Sequence, residues 1–175
     1  MDLMHLVNVE DKILLIEIVS CRDLLVADKT GESDPYVKIK MGKKDLHRTK
    51  HILKTLNPVF TEETNNSYVL DMPAMELYGK KGIQLKVKDW DRGIRGDDDL
   101  GTVNIPADTL YNFGEDTKEF KLDPPPGKSD HAGYISIRCT EIGAEERDSR
   151  KKGFFGRKKK TSKFPVRPLL CCFCS

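Results

Sequence analysis

Residues 83–101 read IQLKVKDWDRGIRGDDDLG, and the fold and the candidate site both follow from patterns in this stretch. Its first six residues alternate between apolar and polar side chains, so the three apolar ones fall on one face of a strand. Asp89 and Asp91 come directly after the strand, and residues 97–99 are three further aspartates. A strand with one apolar face predicts an antiparallel sheet, and the acids predict a polar site at its edge.

The same alternation recurs along most of the chain, and no long 3.6-residue period interrupts it. The clearest further strands are centred on Ile16, Ile39 and Ile137, and weaker candidates cover residues 46–52, 64–70, 100–105 and 118–122. Turn-forming pairs such as Asn57-Pro58 fall between them. We therefore predict an all-β fold, an eight-stranded antiparallel β-sandwich, for residues 1–142.

Charge divides the chain into an acidic body and a basic tail. Between Arg147 and Arg167 there are ten basic residues and one acid, whereas the rest of the chain has 27 acids against 20 bases. From about residue 143 the alternation stops, and charged residues, glycine and proline prevail. Such a composition does not bury enough apolar surface to form a core, so residues 143–175 are predicted to be a flexible basic tail.

The five cysteines do not suggest a disulfide framework. Cys21 and Cys139 lie in alternating stretches, while Cys171, Cys172 and Cys174 crowd the end of the chain. The N-terminal residues do not resemble a secretory signal, and the longest apolar run is too short to cross a bilayer. We therefore expect a cytoplasmic protein with free thiols.

Two loops carry more carboxylates than solubility requires. Asp28 and Asp34 flank a glycine turn in one loop, and Asp89 and Asp91 point the same way in the other if the chain stays extended. Converging carboxylates repel one another unless a counter-charge joins them, and oxygen ligands without His or Cys suit Ca²⁺ better than zinc or copper. The spacing does not match an EF-hand loop. The alternative is that the acidic loops are simply solvated.

Three stretches resemble the signature sequences of the C2 domain, a calcium- and phospholipid-binding β-sandwich. They are LLVADKTGESDPYVKIK (24–40), LKTLNPVF (53–60) and VKDWDRGIRGDDDLG (87–101). The resemblance spans roughly residues 12–140 and implies that the acidic loops meet at one end and share two or three Ca²⁺ ions. The implied ligands are the carboxylates of Asp28, Asp34, Asp89 and Asp91, one later aspartate, and the backbone carbonyls of Ala27 and Trp90.

The later aspartate has two candidates, because this loop is one residue longer than the family pattern. Counting forward from Asp91 selects Asp97, and counting back from Gly101 selects Asp98. The family also has two strand connectivities that are circular permutants of each other. The strand around residues 133–137 comes last here, which favours the type II topology.

The resemblance further implies binding to anionic phospholipid membranes, including phosphatidylserine, because bound Ca²⁺ changes the sign of the charge that the loops present. Arg92, Ile94 and Arg95 form a loop tip that suits insertion between headgroups. The alternative is a single isoleucine exposed in a loop.

A second lipid-binding surface is predicted on the sheet. Arg48 and Lys50 alternate and share a face, and together with Tyr36 they match positions that bind phosphoinositides in some family members. Lys88 stands where those members have a tryptophan. Solvated strand residues are the alternative.

The tail contains features of a membrane anchor. Its basic residues, interleaved with phenylalanines, are Lys151, Lys152, Arg157, Lys158, Lys159 and Lys160. Cys171, Cys172 and Cys174 are candidates for lipidation, either by prenylation at a loose C-a-a-X end or by S-acylation. The expected location is peripheral, on the cytoplasmic face of a membrane.

Three rival functions fit the sequence less well. The chain has no nucleophile elbow, no phosphate-binding glycine loop and no metal-ligand spacing of His with Cys, so we do not expect an enzyme. The acidic body argues against a nucleic-acid partner, although GRKKKTSK is compatible with a nuclear signal. The nearest rival is an adaptor that is tethered constitutively by its tail, recruits an unidentified protein partner and has a structural or vestigial Ca²⁺ site.

Overall fold

The computed structural model describes residues 10–26, 33–91, 96–128 and 131–156, the last six of these by their backbone alone. The strands are β1 (Ile13–Arg22), β2 (Pro35–Met41), β3 (Lys44–Arg48), β4 (Ser67–Asp71), β5 (Ile83–Asp89), β6 (Asp99–Ile105), β7 (Lys118–Lys121) and β8 (Tyr134–Glu141). The helices are α1 (Ala74–Gly79), α2 (Ala107–Tyr111) and α3 (Ala144–Gly156). The predicted all-β sandwich is confirmed. The residue pattern did not indicate α1 and α2 within the body, because each helix is shorter than two turns.

Two four-stranded antiparallel sheets form the sandwich. Sheet A has the order β4-β1-β8-β7, and sheet B has the order β3-β2-β5-β6. The last strand of the chain lies beside the first, with Cys139 of β8 opposite Ile16 of β1. The strand that contains residues 134–137 is thus the last one and lies between β1 and β7, in agreement with the type II connectivity that the sequence favoured.

The apolar positions of both sheets meet between them. Ile16 and Ile18 of sheet A and Val37, Ile39 and Leu85 of sheet B are fully buried, and burial of each such side chain stabilises the fold by roughly 1.5–3 kcal/mol. Residues that alternate with these positions therefore lie on the outer faces of the sheets.

The two body cysteines are part of this core. Cys21 and Cys139 are both buried and free. Desolvation by burial raises the pKa of both thiols, that of Cys139 to about 12. A thiol that stays protonated is a poor nucleophile, so these two cysteines serve packing.

The ends of the sandwich differ in what they carry. β1 ends at Arg22 where β2 begins at Pro35 and β5 ends at Asp89, so both acidic loops leave from this end. β8 ends at the opposite end, where Glu141 pairs with Leu14 near the start of β1. Helix α3 and the basic tail consequently begin at the end away from the acidic loops.

The prediction of flexible chain from residue 143 is wrong for Ala144–Gly156, which form α3. The helix needs no core because Ala, Glu, Arg and Lys have high intrinsic helix propensity. Arg150 Nε donates to Glu146 Oε1 at 3.0 Å one turn earlier, a spacing that supports helices by a few tenths of a kcal/mol. Arg147 reaches Asp71 of β4 at 3.5 Å. Residues 157–175 lie outside the described part of the chain.

Candidate functional site

The acidic loops are joined where β2 begins and β5 ends. The backbone N–H of Asp34 donates to Asp89 Oδ1 at 2.6 Å, and the N–H of Trp90 donates to the carbonyl oxygen of Asp34 at 3.0 Å. Asp89 is 1% exposed. A buried carboxylate is costly unless hydrogen bonds or a cation compensate it, so the contact between Asp34 and Asp89 marks a polar edge of the sandwich.

A third segment of chain, residues 49–58, supports this edge. The N–H of Lys54 donates to Asp34 Oδ1 at 2.8 Å, and the N–H of Thr55 donates to the carbonyl of Ser33 at 2.8 Å. Lys54 has φ 54°, a left-handed conformation that is unfavourable for a residue with a side chain. The hydrogen bond from the Lys54 N–H therefore holds the Asp34 carboxylate against segment 49–58.

The two candidates for the later aspartate have different surroundings. Asp97 Oδ2 accepts a hydrogen bond from the Tyr36 hydroxyl at 2.5 Å, and its Oδ1 accepts one from the Asp91 N–H at 3.3 Å. The carbonyl oxygen of Asp98 accepts the N–H of Asp89 at 2.9 Å. The Asp98 side chain is exposed, and no described residue donates a hydrogen bond to its carboxylate. The Asp97 carboxylate is thus already hydrogen-bonded within the protein, whereas the Asp98 carboxylate is accessible to a ligand.

The environment of Asp97 also sets its protonation. Desolvation alone raises the pKa of this carboxyl, but the hydrogen bonds from Tyr36 and Asp91 and the nearby Arg48 and Lys88 outweigh it, so the pKa lies below the usual value. Burial, followed by the bond to Asp97, raises the pKa of Tyr36. The pair is therefore a neutral phenol donating to a carboxylate at physiological pH.

We refer to Asp34, Asp89, Asp91, Asp97 and Asp98 as the acidic edge. Its side-chain oxygens all belong to carboxylates, which fits Ca²⁺ in ligand type. Within residues 10–26, 33–91, 96–128 and 131–156, no three His, Cys, Asp or Glu side chains are grouped closely enough to hold a metal ion. The predicted ligands Asp28 and Ala27 lie outside these residues, so the described part supplies only some members of the predicted site.

An aromatic pair adjoins the edge. The rings of His51 and Trp90 stack with centroids 4.0 Å apart and an interplanar angle of 5°. The stack holds residue 90, predicted to provide a carbonyl ligand, against the supporting segment 49–58. Trp90 is also the only tryptophan of the chain, which makes its fluorescence a probe of this loop.

The outer face of sheet B is strongly basic. The five basic side chains that we call the cationic face are Lys38, Lys40, Arg48, Lys86 and Lys88. Cross-strand pairing aligns them, because Lys38 lies opposite both Arg48 and Lys86. The alternation of lysines was visible in the sequence, but the register that combines three strands into one surface was not.

Two of the three residues that were predicted to bind a phosphoinositide lie together in the structure, and the third lies apart from them. Tyr36 and Arg48 do meet, with the Arg48 guanidinium carbon 3.9 Å from the Tyr36 ring centroid, a cation–π contact. Lys50 is exposed and lies past the end of β3 at Arg48, with its N–H donating to the Thr64 carbonyl. Lys88 lies opposite Tyr36 in the sheet.

Several predicted residues lie outside the described part of the chain. They are the loop tip Arg92, Ile94 and Arg95, the tail residues Arg157, Lys158, Lys159 and Lys160, and the lipidation candidates Cys171, Cys172 and Cys174. Lys151 and Lys152 belong to α3, where only their backbone is described. No helix among the described residues is long and apolar enough to cross a bilayer.

The profile of the C2 domain family matches residues 12–122. Multiple C2 and transmembrane domain-containing protein 2 of Mus musculus is 30% identical over 138 residues, which are 79% of this chain and 15% of that protein. Synaptotagmin-A of Diplobatis ommata is 37% identical over 110 residues, 62% of this chain and 24% of that protein. This chain belongs to the C2 domain family, and it spans less than a quarter of the length of these two relatives.

Solved structures agree on the fold. A single C2 domain of plant Extended Synaptotagmin 1 superposes with a TM-score of 0.57 at 17% identity, over 74% of this chain and 93% of that one. The pair of C2 domains of Extended-Synaptotagmin 2, in its calcium-bound structure, gives a TM-score of 0.59 at 22% identity, over 83% of this chain and 52% of that one. At these identities the likeness shows a shared fold.

Proposed function

We propose that this C2 domain binds Ca²⁺ at its acidic edge and, with the ions bound, docks on anionic phospholipid membranes. The observation that carries the proposal is the 2.6 Å bond from the Asp34 N–H to Asp89 Oδ1, which joins the two acidic loops at one end of the sandwich. Two or three ions fit the number of carboxylates that the sequence supplies.

Five aspartates hold the ions in this proposal. They are Asp28, Asp34, Asp89, Asp91 and Asp98. Asp98 is chosen over Asp97 because the Asp97 carboxylate already accepts hydrogen bonds from Tyr36 and Asp91. An exposed carboxylate without such bonds reaches an ion without breaking contacts. The carbonyl oxygens of Ala27 and Trp90 complete the set.

Charge reversal explains the membrane step. Without ions, the acidic edge repels an anionic leaflet. Bound Ca²⁺ supplies positive charge and open coordination positions for phosphate oxygens of lipids such as phosphatidylserine. Arg92, Ile94 and Arg95 then contact headgroups and the upper acyl region at the tip of the same loop.

The cationic face offers a second membrane contact. Tyr36 and Arg48 form a cation–π pair on this face. Lys88 lies opposite Tyr36, and Lys38 lies opposite both Arg48 and Lys86. This surface suits a phosphoinositide headgroup, since several basic side chains converge on one area. Lys50, which lies past the end of β3, would contact the same headgroup.

The basic tail and its cysteines tether the domain to the cytoplasmic face of a membrane. A lipid chain plus a polybasic segment gives a stable anchor, which one chain alone does not. The proposed function is that of a binding module rather than an enzyme, and it would serve Ca²⁺-regulated signalling or trafficking.

The second candidate is a constitutive adaptor, attached by its tail alone and recruiting a protein partner through the sandwich. The observation that favours it is that the carboxylate of Asp97, one of the predicted ligands, already accepts hydrogen bonds from Tyr36 and Asp91. The two candidates differ in whether Ca²⁺ changes membrane binding.

Co-sedimentation with phosphatidylserine vesicles separates them. The full chain is expected to pellet more strongly in millimolar Ca²⁺ than in chelator, and the Ca²⁺-dependent increment is expected to disappear in Asp89→Asn/Asp91→Asn. The control Glu115→Gln/Asp116→Asn removes the same charge from an exposed turn and should retain the increment. Pelleting that ignores Ca²⁺ in the unmodified chain would establish the adaptor instead.

A further inference from the structure

Strand β8 has a neighbour along its whole length on one side but not on the other. β1 pairs with β8 as far as Glu141, which lies opposite Leu14. β7 begins at Lys118, opposite Ile137, and pairs with residues 134–137 only. In the described part of the chain, no strand pairs with β8 beyond Ile137 on the side of β7. This part of β8 is therefore an open edge.

Hydrogen-bond directions show which backbone groups the open edge presents. The N–H of Ile142 donates to the carbonyl oxygen of Ile13 at 2.9 Å. An antiparallel strand directs the N–H and C=O groups of successive residues alternately to its two neighbours, so Thr140 bonds toward β1, while Cys139 and Glu141 face the side of β7. The described segment between α2 and β7 forms no backbone hydrogen bond with Cys139 or Glu141. Two N–H and two C=O groups therefore lack a strand partner on this side.

A cavity of about 580 Å³ lies along the open edge, and we call it the β8 groove. Its volume is in the usual range for ligand sites. Leu14, Leu110, Phe113 and Cys139 form an apolar floor, and each of them is at most 3% exposed. The Cys139 thiol donates to the Leu110 carbonyl oxygen at 3.8 Å, which holds α2 against β8. The groove is therefore preformed.

The charges along the β8 groove differ between its ends. Glu115 and Glu141 line it together with one basic residue, Lys12, which pairs with Glu141 at 2.9 Å. One carboxylate charge remains uncompensated there. At the end next to β7, the Lys118 ammonium lies 4.7 Å from the Phe113 ring centroid. A ligand is thus expected to place a positive charge near Glu141 rather than near β7.

An extended peptide satisfies both the open edge and the floor. A strand added beside β8 exchanges hydrogen bonds with Cys139 and Glu141, and its side chains opposite these two residues share one face of the sheet. The residue opposite Cys139 meets the apolar floor. The residue opposite Glu141, two positions earlier in an antiparallel strand, meets the carboxylates. The preferred sequence is therefore a basic residue, any residue, and then an apolar residue.

The shape of the groove limits what reaches the edge. Phe113, Gly114 and Glu115 form the wall opposite β8. An uncovered edge invites pairing of whole sheets between molecules, whereas an edge behind a wall admits a single strand. A free peptide segment fits this access better than the strand of a second folded copy.

We propose that the β8 groove binds an extended segment of a partner protein, with the pattern basic–any–apolar, by adding it to β8 as an antiparallel strand. Glu141 lies at the end of the sandwich away from the acidic loops, so a partner bound there leaves the acidic edge free for a membrane. The site requires no Ca²⁺ and does not rest on the proposed function.

Amide hydrogen exchange of the full chain, followed by NMR, tests strand addition. The probe is the peptide acetyl-Ser-Arg-Thr-Val-Thr-amide, added at saturating concentration in chelator. Exchange of the Cys139 and Glu141 amides is expected to slow at least about tenfold more than exchange of the Thr140 amide, which already faces β1. Slowing that does not alternate along β8, or no slowing at all, would overturn strand addition.

Two N-methylated peptides separate backbone pairing from side-chain contact. In the proposed pairing the valine N–H donates to the Cys139 carbonyl oxygen, while the N–H of the following threonine points away from β8. Methylation of the valine nitrogen is expected to weaken binding at least about fivefold in calorimetry, and methylation of the threonine nitrogen less than about twofold, because only the first leaves a buried acceptor without its donor. Equal losses would mean that the peptide does not pair with β8.

A matched pair of variants tests the charge preference. Glu115 and Asp116 are neighbours in the exposed turn before β7, but only Glu115 lines the groove. Glu115→Gln is expected to weaken binding of the arginine peptide about threefold, the effect of one partly exposed ion pair, and Asp116→Asn is expected to leave it unchanged. A peptide with glutamine in place of arginine should not distinguish the two variants. If Asp116→Asn weakens the arginine peptide as much as Glu115→Gln does, the preference for a basic residue is wrong.

The full chain without any peptide tests the other occupants of the groove. Amides of Cys139 and Glu141 that exchange faster than that of Thr140 support an open groove awaiting a partner. Equally slow exchange at every protein concentration would mean that another segment of this chain fills the groove, and slow exchange at high concentration alone would indicate a second copy. Either of these results overturns the partner assignment.

Discussion

The outer faces of the two sheets are built from the same alternating pattern but handle charge differently. On sheet A, basic side chains have carboxylates close by. Arg138 lies 3.6 Å from Glu17 across the β1–β8 pair, and Arg22 binds Glu119 through two bonds of 2.8 and 2.7 Å. On sheet B, four lysines share two carboxylates, Asp45 and Asp99. The basic side chains named on sheet A each pair with a separate carboxylate, whereas the four lysines of sheet B outnumber their carboxylate partners and leave a net positive charge.

The difference shows that an exposed, charged strand face has two uses. Cross-strand pairs such as Glu17–Arg138 fix the register of a sheet and contribute a few tenths of a kcal/mol to its stability. Lysines gathered on adjacent strands repel one another and destabilise it slightly. Such an arrangement attracts negatively charged partners from solution. The contrast supports the proposed binding role of sheet B, for which sheet A serves as the comparison.

The largest effect is expected from substitution of Gly133, the residue directly before β8, and it concerns the stability of sheet A. Its φ is 82°, and a Cβ there would lie 2.4 Å from the Arg22 carbonyl oxygen. Gly133→Ala is expected to lower the free energy of unfolding by about 3 kcal/mol, since both the conformation and the contact are unfavourable. Chemical denaturation measures the change.

Gly114→Ala is the matched control for this change. Gly114 has a similar φ of 81°, but nothing lies within 4 Å of the added Cβ. Its cost is expected to be about 1 kcal/mol, the contribution of the backbone conformation alone. Equal costs for the two variants would show that the close approach of Arg22 does not matter.

The outer faces of the two sheets are also expected to differ in how strongly they support vesicle binding. Lys38→Gln/Lys86→Gln removes two facing residues of sheet B and is expected to weaken Ca²⁺-dependent binding to vesicles containing phosphatidylserine and a phosphoinositide by about tenfold, because each basic residue near the leaflet contributes about 1 kcal/mol before screening. Lys121→Gln/Arg138→Gln removes the same charge from sheet A. Co-sedimentation should show a much smaller loss for it, and comparable losses would refute the division between the faces.

The smallest expected effect concerns pH at a junction between the sheets. His47 of β3 lies 5.5 Å, between ring centroids, from Tyr68 of β4, and its Nε2 donates to the Asn65 carbonyl oxygen at 2.8 Å. Burial lowers the pKa of His47, although the bond to Asn65 opposes the shift. The folded protein therefore disfavours the imidazolium.

Stability is consequently expected to be constant above about pH 6.5, the unperturbed pKa of histidine, and to fall as the pH drops below it. Denaturation midpoints between pH 5 and 8 measure the slope, and His47→Gln should flatten it while leaving vesicle binding at pH 7 unchanged. An unaltered slope in the variant would assign the pH dependence to other groups.

The sequence predicted much of the fold because period-two alternation depends only on which residues a strand buries. The alternation around Ile16, Ile39 and Ile137 located three of the longer strands, and the late position of β8 indicated the type II connectivity. Helix α3 was missed because its low apolar content resembles that of a flexible tail, although helix propensity and the Glu146–Arg150 spacing were both present in the sequence. The high helix propensity of residues 144–156 was the signal that could have predicted α3.

The candidate site was predictable in composition but not in contacts. The aspartates were identified from loop spacing, yet the choice between Asp97 and Asp98 stayed open because counting along the chain gives both answers. The structure distinguishes the two residues through the Tyr36 hydroxyl, which lies 61 positions away from Asp97.

What the sequence determined by itself is the class of sandwich, the acidic loops and the separation of an acidic body from a basic tail, since these depend on residue type and local order. Only the tertiary structure decided that the Asp34 N–H meets Asp89, and that Asp45 and Asp99 each form ion pairs with two lysines of one face. The physical reason is strand register: pairing brings together charges from distant parts of the chain, and a shift of one residue would place them on opposite faces.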